Sequence, residues 1–325
     1  MKKYIFILFL FFSFIQLDAE EQLSLKKITL SMEDDLFYGT DEGYSYGSKL
    51  LSLFLREGLD TDSIHIPFTD YLSQDSYISF ALIDQIYTPS DLERTTLDED
   101  DRPYAGYLNF ETALYQATPI QLHSLVLQIG IVGKSSYMES LQKSIHQLTG
   151  SDTPKGWEHQ LSDELTIGVN YNYKRYYDLE DILGLESTFI PEFGVNLGNA
   201  STKVYTGGLF RYGWGIPSNF GAFSINESSY SQIPRSKESR EEKWMFCFNL
   251  GAKANLIAKD IFLDGNSNHP SHSVEKNNYT LSMVYGLSLS YKKFSFDWVH
   301  NYITEEFVLQ KKPHKFTSFQ FSYSY

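Results

Sequence analysis

The residues with the widest chemical range lie in 129–164, where Glu139, Gln142, His146 and Thr149 recur at three- and four-residue intervals. On a helix that spacing gathers them along one side. An imidazole beside a carboxylate and an amide can take a proton near neutral pH. An ordinary exposed histidine on a surface helix has the same sequence. A second cluster, Glu33-Asp34-Asp35 with Gly39, Thr40 and Asp41, runs on to Tyr44-Ser45-Tyr46-Gly47. It offers carboxylate, hydroxyl and main-chain oxygens around a turn, the donors that a hard cation such as Ca²⁺ takes. A solvated acidic hairpin tip reads the same way. The third group holds Asp91, Glu93 and Arg94, then Asp98-Glu99-Asp100-Asp101-Arg102-Pro103-Tyr104-Ala105-Gly106. Its guanidinium groups could grip a phosphate or simply pair with their acidic neighbours. Cys247 is the single cysteine, which excludes an intrachain disulfide and a thiolate metal cluster. It falls among Phe246, Phe248 and Leu250 with no sequence neighbour to lower its pKa, so a catalytic thiol is not expected.

The histidine needs a helix, and the sequence supplies one. Ser136 can cap its start, with Glu139 three residues on completing a capping box. Gly150 and Pro154 mark its end. Met138, Leu141, Ile145 and Leu148 form an apolar stripe by which it is expected to pack. Elsewhere the chain alternates with period two. Tyr279, Leu281, Met283, Tyr285, Leu287, Leu289 and Tyr291 point one way, and Thr280, Ser282, Gly286, Ser288 and Ser290 the other. The dyad recurs in Ile167-Val169-Tyr171-Tyr173, in Phe246-Phe248-Leu250-Ala252 and in Phe319-Phe321-Tyr323-Tyr325. A large apolar face opposite a small polar one is the pattern of a membrane barrel. The strand segments are 25–36, 44–55, 77–87, 105–117, 121–133, 164–175, 187–198, 204–215, 243–261, 278–291, 293–303 and 316–325, an even count. The expected fold is all-β: a twelve-stranded antiparallel transmembrane β-barrel with a short helix in an external loop. With the N-terminus inside, the loops 37–43, 88–104, 134–163, 199–203, 262–277 and 304–315 face outward. All three polar groups then lie at the outer rim. Connections 56–76 and 216–242 are long for inner turns.

Composition agrees. Aromatics make up 16% of residues, with 24 Tyr and 24 Phe, yet mean hydropathy is −0.31. Lipid-facing girdles around a polar lumen combine those two properties. Lys2-Lys3, the apolar run 4–15 and Leu17-Asp18-Ala19 read as a signal peptide over 1–19, which leaves 20–325 as one exported barrel domain. The net charge of −14 argues against nucleic acid and suits work among divalent cations.

Taken together, the sequence resembles the outer-membrane lipid A 3′-O-deacylase family. The resemblance rests on Glu33-Asp34-Asp35, Tyr44-Ser45-x-Gly47, Ile86-Tyr87-Thr88-Pro89, Asp101–Gly106, Gly133-x-Ser135, Gln142-x3-His146-x3-Gly150 and Gly156-Trp157-x2-Gln160. Gly207-Gly208-x2-Arg211-x-Gly213, Leu263-Asp264-Gly265-Asn266 and Thr304-Glu305-Glu306-Phe307-x2-Gln310 extend it over the mature chain. It implies a monomeric barrel in the bacterial outer membrane that acts on lipid A, the anchor of lipopolysaccharide, among outer-membrane lipids. Ca²⁺ and the active site would lie on the outer-leaflet side. Carried over residue by residue, His146 matches the general base and Asp35 the calcium-associated acid. Ser45 matches a hydroxyl residue that is usually Thr. Asp152 matches an acidic partner of the histidine, and Arg94 a basic residue at the site edge. Asp34 stands where the family usually has Asn. Its extra carboxylate could tighten the ion or weaken stabilisation of the oxyanion.

These residues imply ester hydrolysis in which His146 activates water, Asp152 orients the imidazole, and Ca²⁺ on Asp35 and Asp34 polarises the carbonyl. Ser45 is the alternative nucleophile. Arg94, Arg102 and Gln142 are expected to contact substrate. An outer-membrane phospholipase of another barrel type and a non-catalytic porin or adhesin are the rival functions.

Overall fold

The computed structural model describes residues 22–35, 38, 42–57, 66, 75–221, 225, 230–235 and 243–325. The expected signal peptide lies outside them. Alternating side chains form β1 (Gln22–Asp34), β2 (Gly43–Glu57), β3 (Asp75–Thr88), β4 (Ala105–Ala117), β5 (Gln121–Val132) and β6 (Glu164–Arg175). After the two-residue β7 (Tyr177–Asp178) come β8 (Glu186–Gly198), β9 (Ser201–Trp214), β10 (Trp244–Asp260), β11 (Tyr279–Tyr291), β12 (Phe294–Ile303) and β13 (His314–Ser324). Every neighbour is antiparallel, β1 pairs with β13, and β6 pairs with β8, so the sheet closes. Twelve strands make the wall, and β7 extends one inner hairpin against β8. Among the described residues two α-helices interrupt the strands: α1 (Met138–Thr149) in the β5–β6 loop and α2 (Ile261–Asp264) after β10.

Lipid contact explains the outer face. Leu30, Met32, Leu82, Leu127, Ile167, Phe246, Leu281 and Phe321 all stand exposed around the belt. Trp214, Trp244, Phe294 and Tyr325 ring the inner end, where Trp244 stacks on Tyr291. On β11, Thr280, Ser288 and Ser290 turn inward and are buried, as alternation predicts.

The first strands depart from a polar lumen. Leu51, Leu53, Leu55, Tyr77, Ala81 and Ile83 point inward and are buried, because the long inner connection after β9 folds back into the barrel. Phe220, Ile225, Tyr230 and Ile233 pack against them. The insertion is tied along its length. Arg235 donates to the Pro119 carbonyl at the inner mouth, and Lys27 donates to the Gln232 carbonyl. Thr29 meets the Tyr230 hydroxyl, and the Ile225 amide donates to Glu33 Oε1 at 2.8 Å near the outer rim. Arg211 holds the carbonyls of Pro217 and Asn219, and its guanidinium also reaches the Cys247 thiol at 3.7 Å. Cys247 therefore does have a cation beside it, contrary to its bland sequence neighbourhood. It is fully buried. The long inner connection 216–242 is thus no miscount, since its described residues form a plug; most of 56–76 lies outside the described residues.

Candidate active site

α1 lies flat on the outside of the wall, across the outer ends of β3 and β4. Close approach is possible because Gly106 of β4 lacks a side chain. A Cβ there would sit 2.5 Å from Met138 Cβ. The helix starts after Tyr137, which adopts a left-handed φ of 64°, and it has no side-chain cap. Ser136 instead donates to the Gly133 carbonyl at 2.6 Å, so the expected Ser136–Glu139 capping box does not form. Glu139 pairs with Lys143. Gly150 ends the helix as expected, at φ 76° with its amide on the His146 carbonyl.

The buried face is Met138, Gln142 and His146, one residue per turn, rather than the apolar stripe. Leu148 stands 89% exposed. Met138 packs with Ile86, Tyr104 and Trp157. Below it, Gln142 Oε1 accepts from Trp157 Nε1 at 2.8 Å. A polar face is buried here because Trp157 and a main-chain carbonyl supply its partners.

That carbonyl belongs to Asp152. His146, 7% exposed, donates Nδ1–H to the Asp152 main-chain oxygen at 2.5 Å. The expected carboxylate partnership is therefore corrected, since Asp152 orients the ring through its backbone and its side chain is exposed. The bond fixes the tautomer and makes Nε2 the basic nitrogen.

The wall across from the helix is shaped by a β-bulge. Pairing of β2 with β3 skips from Tyr44–Tyr87 to Tyr46–Ile86, leaving Ser45 as the extra residue. Such a bulge re-aims a side chain, and Ser45 joins Tyr46 on the helix side. Its hydroxyl meets Thr88 Oγ1 at 2.5 Å. Asp35, just past β1, is 1% exposed and accepts the Glu42 amide at 2.8 Å. One cleft is lined by Asp34, Asp35, Ser45, Gln142 and His146, with Tyr46, Ile86 and Ile145. Five predicted site residues from three distant segments thus converge. Glu33 does not join them: alternation turns it into the lumen, where it holds the plug and Ser318.

The two arginines lie elsewhere. Arg102 is 2% exposed and donates Nη2–H to Glu306 at 2.7 Å, with the rings of Tyr87 and Phe307 about its guanidinium. It clamps two outer loops together and is not placed to grip a phosphate. Burial alone would raise the Glu306 carboxyl, but Arg102 and His314 outweigh it and hold the group below the ordinary carboxylate range. Arg94 pairs with Asp98 at 2.5 Å on the adjoining loop, beside Tyr104, Gly156 and His159 and outside the cleft. Sequence reasoning gave no role to Trp157 or Thr88, although both fall in the quoted motifs; their signal was a tryptophan and a threonine that neither the dyad nor the helix needed.

For a cation, the cleft offers two adjacent carboxylates and a hydroxyl, all hard oxygens that suit Ca²⁺. Among the described residues no three acidic, histidine or cysteine side chains are placed so that together they could hold a metal ion. Carbonyls, water or substrate would have to complete a shell.

A closed antiparallel barrel with an apolar belt, an aromatic inner girdle and a polar cleft on its outer rim is an outer-membrane protein. The family model described as outer membrane protein LpxR matches residues 5–325, and the chain belongs to that family. LpxR from Salmonella typhimurium shares the fold at 18% identity and TM-score 0.73, covering 92% of this chain and 100% of that one. The β domain of the Bordetella autotransporter BrkA matches at 9% identity and TM-score 0.42, over 94% of this chain and 99% of its own. A comparison with curated protein sequences finds no match.

Proposed function

We propose that this barrel, exported by residues 1–19, is a lipid A 3′-O-deacylase whose site faces the outer leaflet. The observation that supports the reading best is the cleft itself. In a member of this family, a tautomer-fixed His146 faces Asp34, Asp35 and Ser45 between a helix and the lipid-facing wall. A cleft on the outside of the wall lets acyl chains remain in the bilayer while their ester is cut.

In this reading His146 Nε2 takes a proton from water as the water oxygen bonds to the ester carbonyl carbon. The bond from that carbon to the sugar 3′-oxygen then breaks. The imidazolium returns its proton to the departing sugar oxygen, and the fatty acid leaves. The Asp152 carbonyl stabilises the imidazolium through Nδ1–H. Ser45 is committed to Thr88, which favours water over Ser45 as the nucleophile. Asp34 and Asp35 would hold Ca²⁺, which when bound supplies a Lewis acid for the developing oxyanion.

Mass spectrometry of lipid A from cells expressing wild type or His146→Gln tests the proposal. Loss of the 3′-acyl group is expected with wild type only. Unaltered lipid A from wild type, with a folded barrel in the membrane, refutes it; fatty acid released from phospholipid would then favour the phospholipase.

A further inference from the structure

The hairpin between β6 and β8 turns away from the lumen. Tyr177 of β7 opposes Phe189 of β8, and both stand exposed on the lipid-facing side. Nearer the inner mouth, Ser187 of β8 and Tyr212 of β9 are a directly opposed pair. Tyr212 alternates with Arg211, whose guanidinium grips the plug inside the barrel, so this pair faces outward. Both hydroxyls reach carbonyls of the hairpin: Ser187 donates to Glu180 at 2.8 Å and Tyr212 to Ile182 at 3.0 Å. The tip is therefore bent over the outside of the wall. It covers Ser187, which is only 2% exposed although it shares a face with Phe189. Trp214 of the inner girdle is two residues beyond Tyr212 on β9, about 7 Å along an extended strand. The tip thus lies at the depth of that girdle.

Its side chains suit lipid better than water. Ile182 and Leu185 bridge each other around Leu183-Gly184, with φ of 54° and 78°. Such a turn favours Asn-Gly, because a side chain is crowded at positive φ. A leucine there, 95% exposed, gains nothing from water. Leu179 and Ile182 stand beside it, each nearly half exposed. The backbone is ready to leave water: the amides of Leu179, Ile182 and Leu185 and the carbonyls of Glu180 and Ile182 all have partners. The charges are sorted too. Asp178 faces Arg235 at the inner mouth, and Glu186 accepts the Ile216 amide. Glu180 and Asp181 stay exposed, which sets the tip among headgroups rather than in the hydrocarbon centre. We propose that residues 179–183 are an interfacial anchor that seats Leu179, Ile182 and Leu183 in the phospholipid leaflet at the inner end of the barrel. Phospholipid is the partner because the tip lies against a wall that lipid already covers, in line with the aromatic girdle. The proposal is independent of the deacylase reading.

The test uses full-length barrels with Cys247→Ser, so that a thiol label has one target, and Leu183→Cys or Leu179→Cys. Each is labelled with a nitrobenzoxadiazole fluorophore and refolded into dioleoylphosphatidylcholine vesicles, with folding checked by heat-modifiable gel mobility. Blue-shifted emission is expected at both positions, with strong quenching by lipid carrying a nitroxide at the headgroup or upper acyl chain. Aqueous iodide should quench several-fold less than in the same protein unfolded in urea. The same label on Asn268→Cys, exposed on an outer loop, should show the opposite pattern, which controls for the affinity of the dye itself for lipid. A label at 179 or 183 that iodide quenches as freely as at 268, and nitroxide lipid does not, overturns the proposal and leaves the tip to a soluble partner. Adding Ile182→Asn/Leu183→Asn gives the turn its preferred residue and removes the apolar contact. The label at 179 should then lose nitroxide quenching several-fold. Unchanged quenching also overturns the proposal, since Ser187 and Tyr212 alone would then hold the tip in place.

Discussion

Gly106→Ala isolates the distance between the helix and the wall. The new Cβ would lie 2.5 Å from Met138 Cβ. Carbon atoms rest at about 3.5–4.0 Å, so one side must withdraw by at least about 1 Å. β4 is locked between β3 and β5 by continuous pairing, which leaves α1 to move. His146 is two turns along the same buried face as Met138 and moves with it. A misplacement of about 1 Å at a reacting group costs on the order of 10²-fold in rate, while overpacking costs about 1–3 kcal/mol of stability. The assay is initial-rate deacylation by refolded barrels in mixed micelles, with folding followed by heat-modifiable mobility. A fall of about 100-fold in kcat with the barrel intact is expected. Activity within a few fold of wild type would show that the helix need not grip the wall for His146 to work.

Four further outcomes follow from contacts already described. Arg102→Met leaves Glu306 buried without its cation and should loosen the outer loops to protease at a cost of about 3–5 kcal/mol; adding Glu306→Gln should restore most of the protection, which a phosphate-gripping role for Arg102 does not predict. Glu306 is held below the ordinary carboxylate range, so the stability it contributes is complete above that range and is lost as pH falls through the lowered value. The Glu306 share of the protection against protease should therefore be lost only in strong acid. Chelation, or Asp35→Ala, should reduce deacylation by about 10²–10³-fold, the usual loss when an oxyanion stabiliser is removed, and added Ca²⁺ should restore the chelated enzyme but not the variant. In planar bilayers wild type should show no steady conductance, whereas replacing 217–234 by a short glycine-serine turn should open a pore; a steady wild-type current would contradict the plug.

Strand positions were legible because period two is local and the lipid belt enforces it. The segments 105–117 and 164–175 coincide with β4 and β6, and most others differ by one to three residues at their ends. What escaped the sequence depends on distant partners. Leu51, Leu53 and Leu55 look surplus to a polar lumen until Phe220 and Ile233 are brought against them. Arg102 looks like a phosphate grip until Glu306, 204 residues away, meets it. The helix misled for the same reason: its apolar stripe was plain, but Gln142 and His146 could be buried only because Trp157 and the Asp152 carbonyl, beyond its end, satisfy them. The cleft residues themselves were legible through the family motifs. The bulge that presents Ser45 was not, since nothing in Tyr44-Ser45-Tyr46 distinguishes an extra residue from a regular one.

A plugged lumen and a cleft on the lipid-facing wall leave the bilayer as the route by which an acyl substrate arrives. Encounter is then a collision in two dimensions, and the governing variable is the mole fraction of substrate among leaflet lipids rather than its bulk molarity. Diluting the substrate with inert lipid should slow the enzyme even when total substrate is unchanged, and diluting the whole suspension with buffer should not. In a tightly packed leaflet the lateral mobility of neighbouring lipids becomes part of the rate, so the physical state of the membrane acts on the barrel without any contact dedicated to sensing it.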